Sequence, residues 1–147
     1  MREILEEAQL CHQIVKEAHD AITMADREGI IRLWNKGAAM VFSFGPAEAL
    51  GQSLHLIIPE NLQERHDQGY RLVMQSGRSR YASELLAVPA IKEDGTRISV
   101  EFTMIVIRDN QNKIMGAAAI IRDVTARWGK DRALQRRLAD LEAQFRR

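Results

Sequence analysis

The 147-residue chain has a single cysteine, Cys11, so an intrachain disulfide framework and a thiolate metal cluster are both excluded. It has no apolar run of about eighteen residues, the length a helix needs to span a bilayer. Its start, "MREILEEAQLCHQ", lacks the apolar core of a signal peptide, and the default expectation is a cytoplasmic location. The formal net charge is +1, too little for a whole-molecule field that recruits nucleic acid or anionic membrane. Nucleophile elbow, P-loop and H-E-x-x-H patterns are all missing. His12 and His19, seven apart, have poor spacing for a metal, and Glu84 and Glu101 read as solvated carboxylates rather than an acid/base pair. The expectation is therefore a protein that is not an enzyme.

What is present is an ordinary globular balance, 46% hydrophobic and 28% charged, with no repeat or low-complexity tract. The first segment is helical by period. Ile4, Ala8, Cys11, Val15 and Ala18 recur at spacings of four and three, widened by Leu10 and Ile14. The period then becomes two. "AITMA" (21–25) and "IIRLW" (30–34) flank "DREG", a hairpin turn in which Gly29 can take positive φ. Two short helical pieces follow, "NKGAAMVF" and "PAEALG", with Pro46 suited to a first helical position and Gly51 to a C-cap.

Residues 59–77, "PENLQERHDQGYRLVMQSG", predict a longer helix. Leu62, His66, Tyr70, Val73 and Gly77 fall on one side, with Asp67, Arg71 and Gln75 pointing elsewhere. An imidazole on that apolar stripe is either a packed structural histidine or a ligand holder. Three strands follow at 83–92, 96–109 and 113–124, divided by the turn compositions "EDG" and "NQN". In the middle one Ile98, Val100, Phe102, Met104 and Val106 share a face. The last has Ala117 and Ala119 on one face and Gly116 and Ala118 on the other. One face could clear room for a ligand, and the other could admit the leading helix at close range. The tail is helical, with Leu134, Leu138, Leu141 and Phe145 forming a short coiled-coil seam.

This order of elements, with D-x-x-G-x-I-x-x-W-N from Asp26 to Asn35, "KEDGT" (92–96) and the closing D-V-T (123–125), resembles the PAS sensory domain. The resemblance implies an α+β fold. Its sheet would be antiparallel and five-stranded, in the order 2-1-5-4-3, with short helices on one face and a pocket between them. It divides the chain into an amphipathic helix (1–19), the domain (20–125) and a C-terminal coiled-coil or output helix (126–147). Trp34 and Asn35 read as framework residues.

"ERHDQGY" (64–70) is similar to the stretch that supplies the proximal iron ligand in FixL-type haem-binding members, which makes His66 the candidate ligand of haem b. The pocket expected around it has Leu62, Tyr70 and Val73 from the helix, Leu86 and Val88 from the first strand, and Val100, Phe102 and Met104 from the second. Met104 is a candidate second axial ligand, with a gap-filling core methionine as the plainer reading. Leu86 stands where FixL-type sensors carry the arginine that holds oxygen, so carbon monoxide, nitric oxide or redox state is the expected input. The flavin photosensor motif N-C-R-F-L-Q is absent from "GPAEALGQSL", and a thioester-linked chromophore would need a core cysteine. FAD or FMN would therefore bind only non-covalently.

Two functions follow from these residues. One is a signal-sensing module whose pocket state is relayed through Asp123 and Thr125 to the tail helix. The other is a ligand-free dimerisation scaffold. In both, a homodimer forms through the terminal helices, and the partner is a separate output domain or protein.

Overall fold

The computed structural model describes residues 2–79 and 86–146. Helix α1 (Arg2–Glu17) leads into the hairpin β1 (Ala21–Asp26) and β2 (Ile31–Trp34). Short helices α2 (Lys36–Phe42) and α3 (Pro46–Ala49) follow, then two 3-10 turns (Leu54–Ile57 and Glu60–Leu62) and helix α4 (Gln63–Ser76). Strands β3 (Leu86–Ile91), β4 (Arg97–Arg108) and β5 (Ile114–Asp123) complete the sheet, and helix α5 (Thr125–Phe145) closes the chain. The expected strand at 83–92 is described from Leu86 onward; its first residues lie outside the described ones.

The five strands pair antiparallel throughout, in the order β2-β1-β5-β4-β3. This is the order the sequence resemblance implies. Alternation sorts the side chains of β4, with Ile98 and Val100 buried and Ile105 exposed on the opposite face. One core, built on Ile31, Trp34, Phe42, Ile57, Ile98, Val100 and Ile121, joins the sheet to α2, α3 and the first 3-10 turn. Trp34 lies over Phe42 with centroids 5.6 Å apart, and its indole N–H donates to the Phe44 carbonyl at 2.8 Å.

Asn35 is a framework residue of a specific kind. Its Oδ1 caps α2 by accepting from Ala38 N and also accepts from Ile22 N, both at 2.8 Å. Its Nδ2 donates to the carbonyls of Val15 (2.8 Å), Ala18 (3.3 Å) and Asp20 (3.0 Å). The end of α1 is thus fastened to the start of α2.

The alanine-rich strand corrects one expectation. Ala117 and Ala119 do face the helices, but α1 does not lie over Gly116 and Ala118, because Leu10 and Ile14 on its apolar side are exposed. Gly116 meets a neighbour of another kind. A Cβ there would come within 2.0 Å of the Ala25 carbonyl, so the glycine admits the backbone of β1.

Candidate functional site

Helix α4 ends at Gly77, which takes φ +70° as a C-cap, and its inward face carries Tyr70 and Met74. These pack with Ala25 and Ala117 into a second cluster, against which Leu54, Val73, Met104 and Ile114 are partly buried. Met74, only 4% exposed, was not singled out by a stripe counted from His66. The residues expected to line one pocket divide between the two clusters. Tyr70, Val73 and Met104 lie with the second, while Val88, Val100 and Phe102 lie with the first. Leu62 is half-buried outside both, and the backbone of Leu86 pairs with Phe102.

His66 sits one turn before Tyr70 and stacks on it, with ring centroids 5.9 Å apart and planes 24° apart. Its Nδ1 is buried and has no hydrogen-bond partner; the Asp67 carboxylate stands 3.5 Å away. That carboxylate is engaged elsewhere, by His55 Nε2 at 2.7 Å. Burial holds the His66 imidazole below its ordinary pKa of 6.5 despite the neighbouring Asp67, so the ring is neutral at pH 7. Burial works to raise the Asp67 carboxyl, and the hydrogen bond from His55 with the nearby His55 and His66 rings outweighs it, leaving Asp67 below 3.8. The sequence stripe missed this contact because His55 lies on a 3-10 turn whose approach to α4 has no periodic signature. Gln63 fastens the same turn, donating to the Ile58 carbonyl at 3.1 Å.

Haem b is the cofactor the resemblance implies, and the donor chemistry at His66 fits it. The imidazole is neutral, as an iron ligand must be, and a carboxylate stands beside Nδ1 where second-shell groups orient a ligating ring. Tyr70 and Val73 follow it one and two turns on along α4, and Leu62 ends the 3-10 turn before that helix. Open space lies elsewhere. A groove of about 800 Å³ runs between Arg27, Met74, Arg108 and Ile114, and one of about 540 Å³ between Pro59, Asn61, Ile91 and Arg97. His66 borders neither of these two grooves. Among the described residues no cluster of three or more His, Cys, Asp or Glu is arranged to hold a bare metal ion.

At the far end of β5 the chain passes into α5 through a compact knot. Thr125 Oγ1 donates to Asp123 Oδ1 at 2.6 Å and accepts from Ser99 N at 3.0 Å. Val124 N donates to the Ser99 carbonyl at 2.9 Å. Ser99 lies between Ile98 and Val100, whose side chains are core, so the start of α5 is bonded to the backbone of a core strand. Glu101 corrects the sequence reading: its side chain is 13% exposed and paired with Arg127, not solvated.

A five-stranded antiparallel sheet in this order, with short helices over one face and a long helix leaving β5, defines an α+β domain. A model of the PAS fold matches residues 15–128, and the chain belongs to that family. It is 29% identical over 118 residues to an uncharacterized protein of Azorhizobium caulinodans, covering 80% of this chain and 16% of that one. It is 38% identical over 48 residues to the Sensor protein FixL of Bradyrhizobium diazoefficiens, covering 33% of this chain and 10% of that protein. The chain therefore spans a small part of the length of these relatives. The crystal structure of a PAS domain from Colwellia psychrerythraea superposes with a TM-score of 0.71 at 20% identity, covering 82% of this chain and 98% of that one, a likeness of fold. No helix among the described residues is long and apolar enough to cross a membrane.

Proposed function

We propose that residues 20–125 form a signal-sensing unit that takes an apolar ligand or cofactor beneath α4, with haem b as its occupant and His66 as the iron ligand. The observation that carries this reading is the His66 ring: largely buried on α4, stacked on Tyr70, neutral at pH 7, and with Nδ1 facing the Asp67 carboxylate. Leu62, Tyr70, Val73 and Met104 would wall the site near the iron, with Leu86, Val88, Val100 and Phe102 along the strands. Met104 would be a second candidate to hold the iron, its plainer role being to fill the core beside Tyr70 and Met74. When bound, haem supplies a redox-active iron that takes up diatomic gases. The chain's own part is to hold the ring, exclude water and convey strain. A shift of β4 on occupancy reaches α5 through Ser99, Asp123 and Thr125, the hydrogen bonds that join strand to helix. Leu86, which offers no donor, favours carbon monoxide, nitric oxide or redox state over oxygen as the input. An absorption spectrum after haem reconstitution tests the reading: a Soret band supports it, and free-haem absorption alone refutes it.

A second reading rests on a different observation. Leu134, Leu138, Leu141 and Phe145 are 65%, 59%, 45% and 89% exposed, an uncovered apolar seam along α5. In this reading the domain is a ligand-free scaffold that pairs two copies through their terminal helices. Homodimerisation belongs to both readings; a lack of any bound cofactor belongs only to the second.

A further inference from the structure

Four charged side chains of alternating sign form a row across the sheet, from the end of α1 to the start of α5. Arg122 Nε on β5 donates to Asp20 Oδ2, just before β1, at 3.1 Å. Arg122 stands opposite Glu101 in the β4–β5 ladder, so the two side chains share one face at cross-strand pairing distance. Glu101 Oε1 in turn accepts from Arg127 Nη2 in the first turn of α5. The row lies on the face of β4 opposite Val100 and Phe102, away from α4.

Both ends are fastened to the terminal helices. The Asp20 carbonyl receives the same Asn35 amide that holds the Val15 and Ala18 carbonyls at the end of α1. Arg127 lies two residues beyond Thr125, whose hydroxyl is bonded to Ser99. Residues 125–127 are exposed, and the polar contacts of Thr125 and Arg127 fasten this stretch to β4. The row consists of two ion pairs, Asp20–Arg122 and Glu101–Arg127, joined at their centre by the β4–β5 ladder, where Arg122 and Glu101 are cross-strand neighbours of opposite charge.

We propose that this row is a mechanical link between the two terminal helices. A displacement at the end of α1 passes through Asp20, Arg122 and Glu101 to Arg127 and re-aims α5, without crossing the space beneath α4. The inference uses the reading of α5 as the output element but needs no ligand, so it can fail or hold independently of haem.

Amide exchange measured by NMR on the full chain, with no cofactor added, tests it. The reporters are the Ser99 and Val124 amides, which bridge β4 to the start of α5, measured against Ile98 inside the β3–β4 ladder. Asp20→Asn, at the remote end of the row, is expected to speed exchange at the reporters by about twofold to fivefold. Arg122→Gln should do the same, and the double variant should be no faster than either single one. Unchanged reporter exchange in Asp20→Asn overturns the link, as do single effects that multiply in the double variant.

Discussion

His66 lies over Tyr70, and Tyr70 in turn is tied to β1, its hydroxyl donating to the Asp26 carbonyl at 2.7 Å and shared with the Ala25 carbonyl at 3.1 Å. The candidate ligand is therefore seated on a side chain anchored to the sheet. Burial, with the nearby Asp26 charge, pushes the Tyr70 phenol up to about 12, so it remains a donor at any physiological pH. Tyr70→Phe removes this donor, while the Asp26 carbonyl keeps its bond from Gly29 N at 3.0 Å. It should lower unfolding free energy by about 0.5–1.5 kcal/mol in a urea titration, with the slope unchanged. Wild-type stability in this variant would mean that water replaces the phenol.

Acid should weaken the fold in two steps. His66 has its folded pKa below the unfolded 6.5, so the unfolded chain binds more protons and stability falls as pH drops from about 6.5 through the folded value. Asp67, also depressed in the fold, adds a loss as pH falls below 3.8. His66→Gln should flatten the upper step and keep most of the lower one, which His55 chiefly sets. Thermal unfolding between pH 7 and pH 3 would show this, and an unaltered upper step in the variant would assign it elsewhere.

Ala119 and Ala118 make a matched pair of tests, because β5 sends them to opposite faces. Ala119 packs against the main core, whereas Ala118 stands opposite exposed Ile105. Ala119→Leu in a filled core should cost about 1–3 kcal/mol, while Ala118→Leu should stay within about 0.5 kcal/mol of wild type. If Ala119→Leu is tolerated and lowers ligand content, the space beneath the helices is a cavity in solution.

The exposed seam on α5 predicts a dimer. Two heptads are marginal alone, and the tail's seven Arg and Lys against three Asp and Glu repel across a parallel pair. Pairing should therefore tighten as salt rises. Light scattering on the full chain should give a dimer, and Leu138→Glu with Leu141→Glu should give a monomer. A monomeric wild type at micromolar concentration contradicts the seam.

The β1–β2 hairpin and the inward face of β4 were legible in the sequence because each follows from a local period or turn, while the strand order came only through the family resemblance. The seat of His66 on the apolar side of α4 was legible for the same reason. The division of the expected pocket lining was not: Val100 and Met104 share a strand face, yet which cluster each joins depends on where α2 and α4 settle. Nor was the His55–Asp67 contact or the Glu101–Arg127 pair. Both join elements whose relative direction is set by a turn, and a charged residue on an exposed stripe gives no sign of its partner.

The central claim is that His66 holds haem, and a reconstitution titration followed by absorption tests it most directly. Wild-type protein should develop a Soret band that saturates at one haem per chain, distinct from that of free haem. His66→Ala should lose that band while keeping its far-ultraviolet dichroism, and His55→Ala should retain it. A folded His66→Ala variant that binds haem as wild type does, or a wild-type chain that takes up none, would contradict the account.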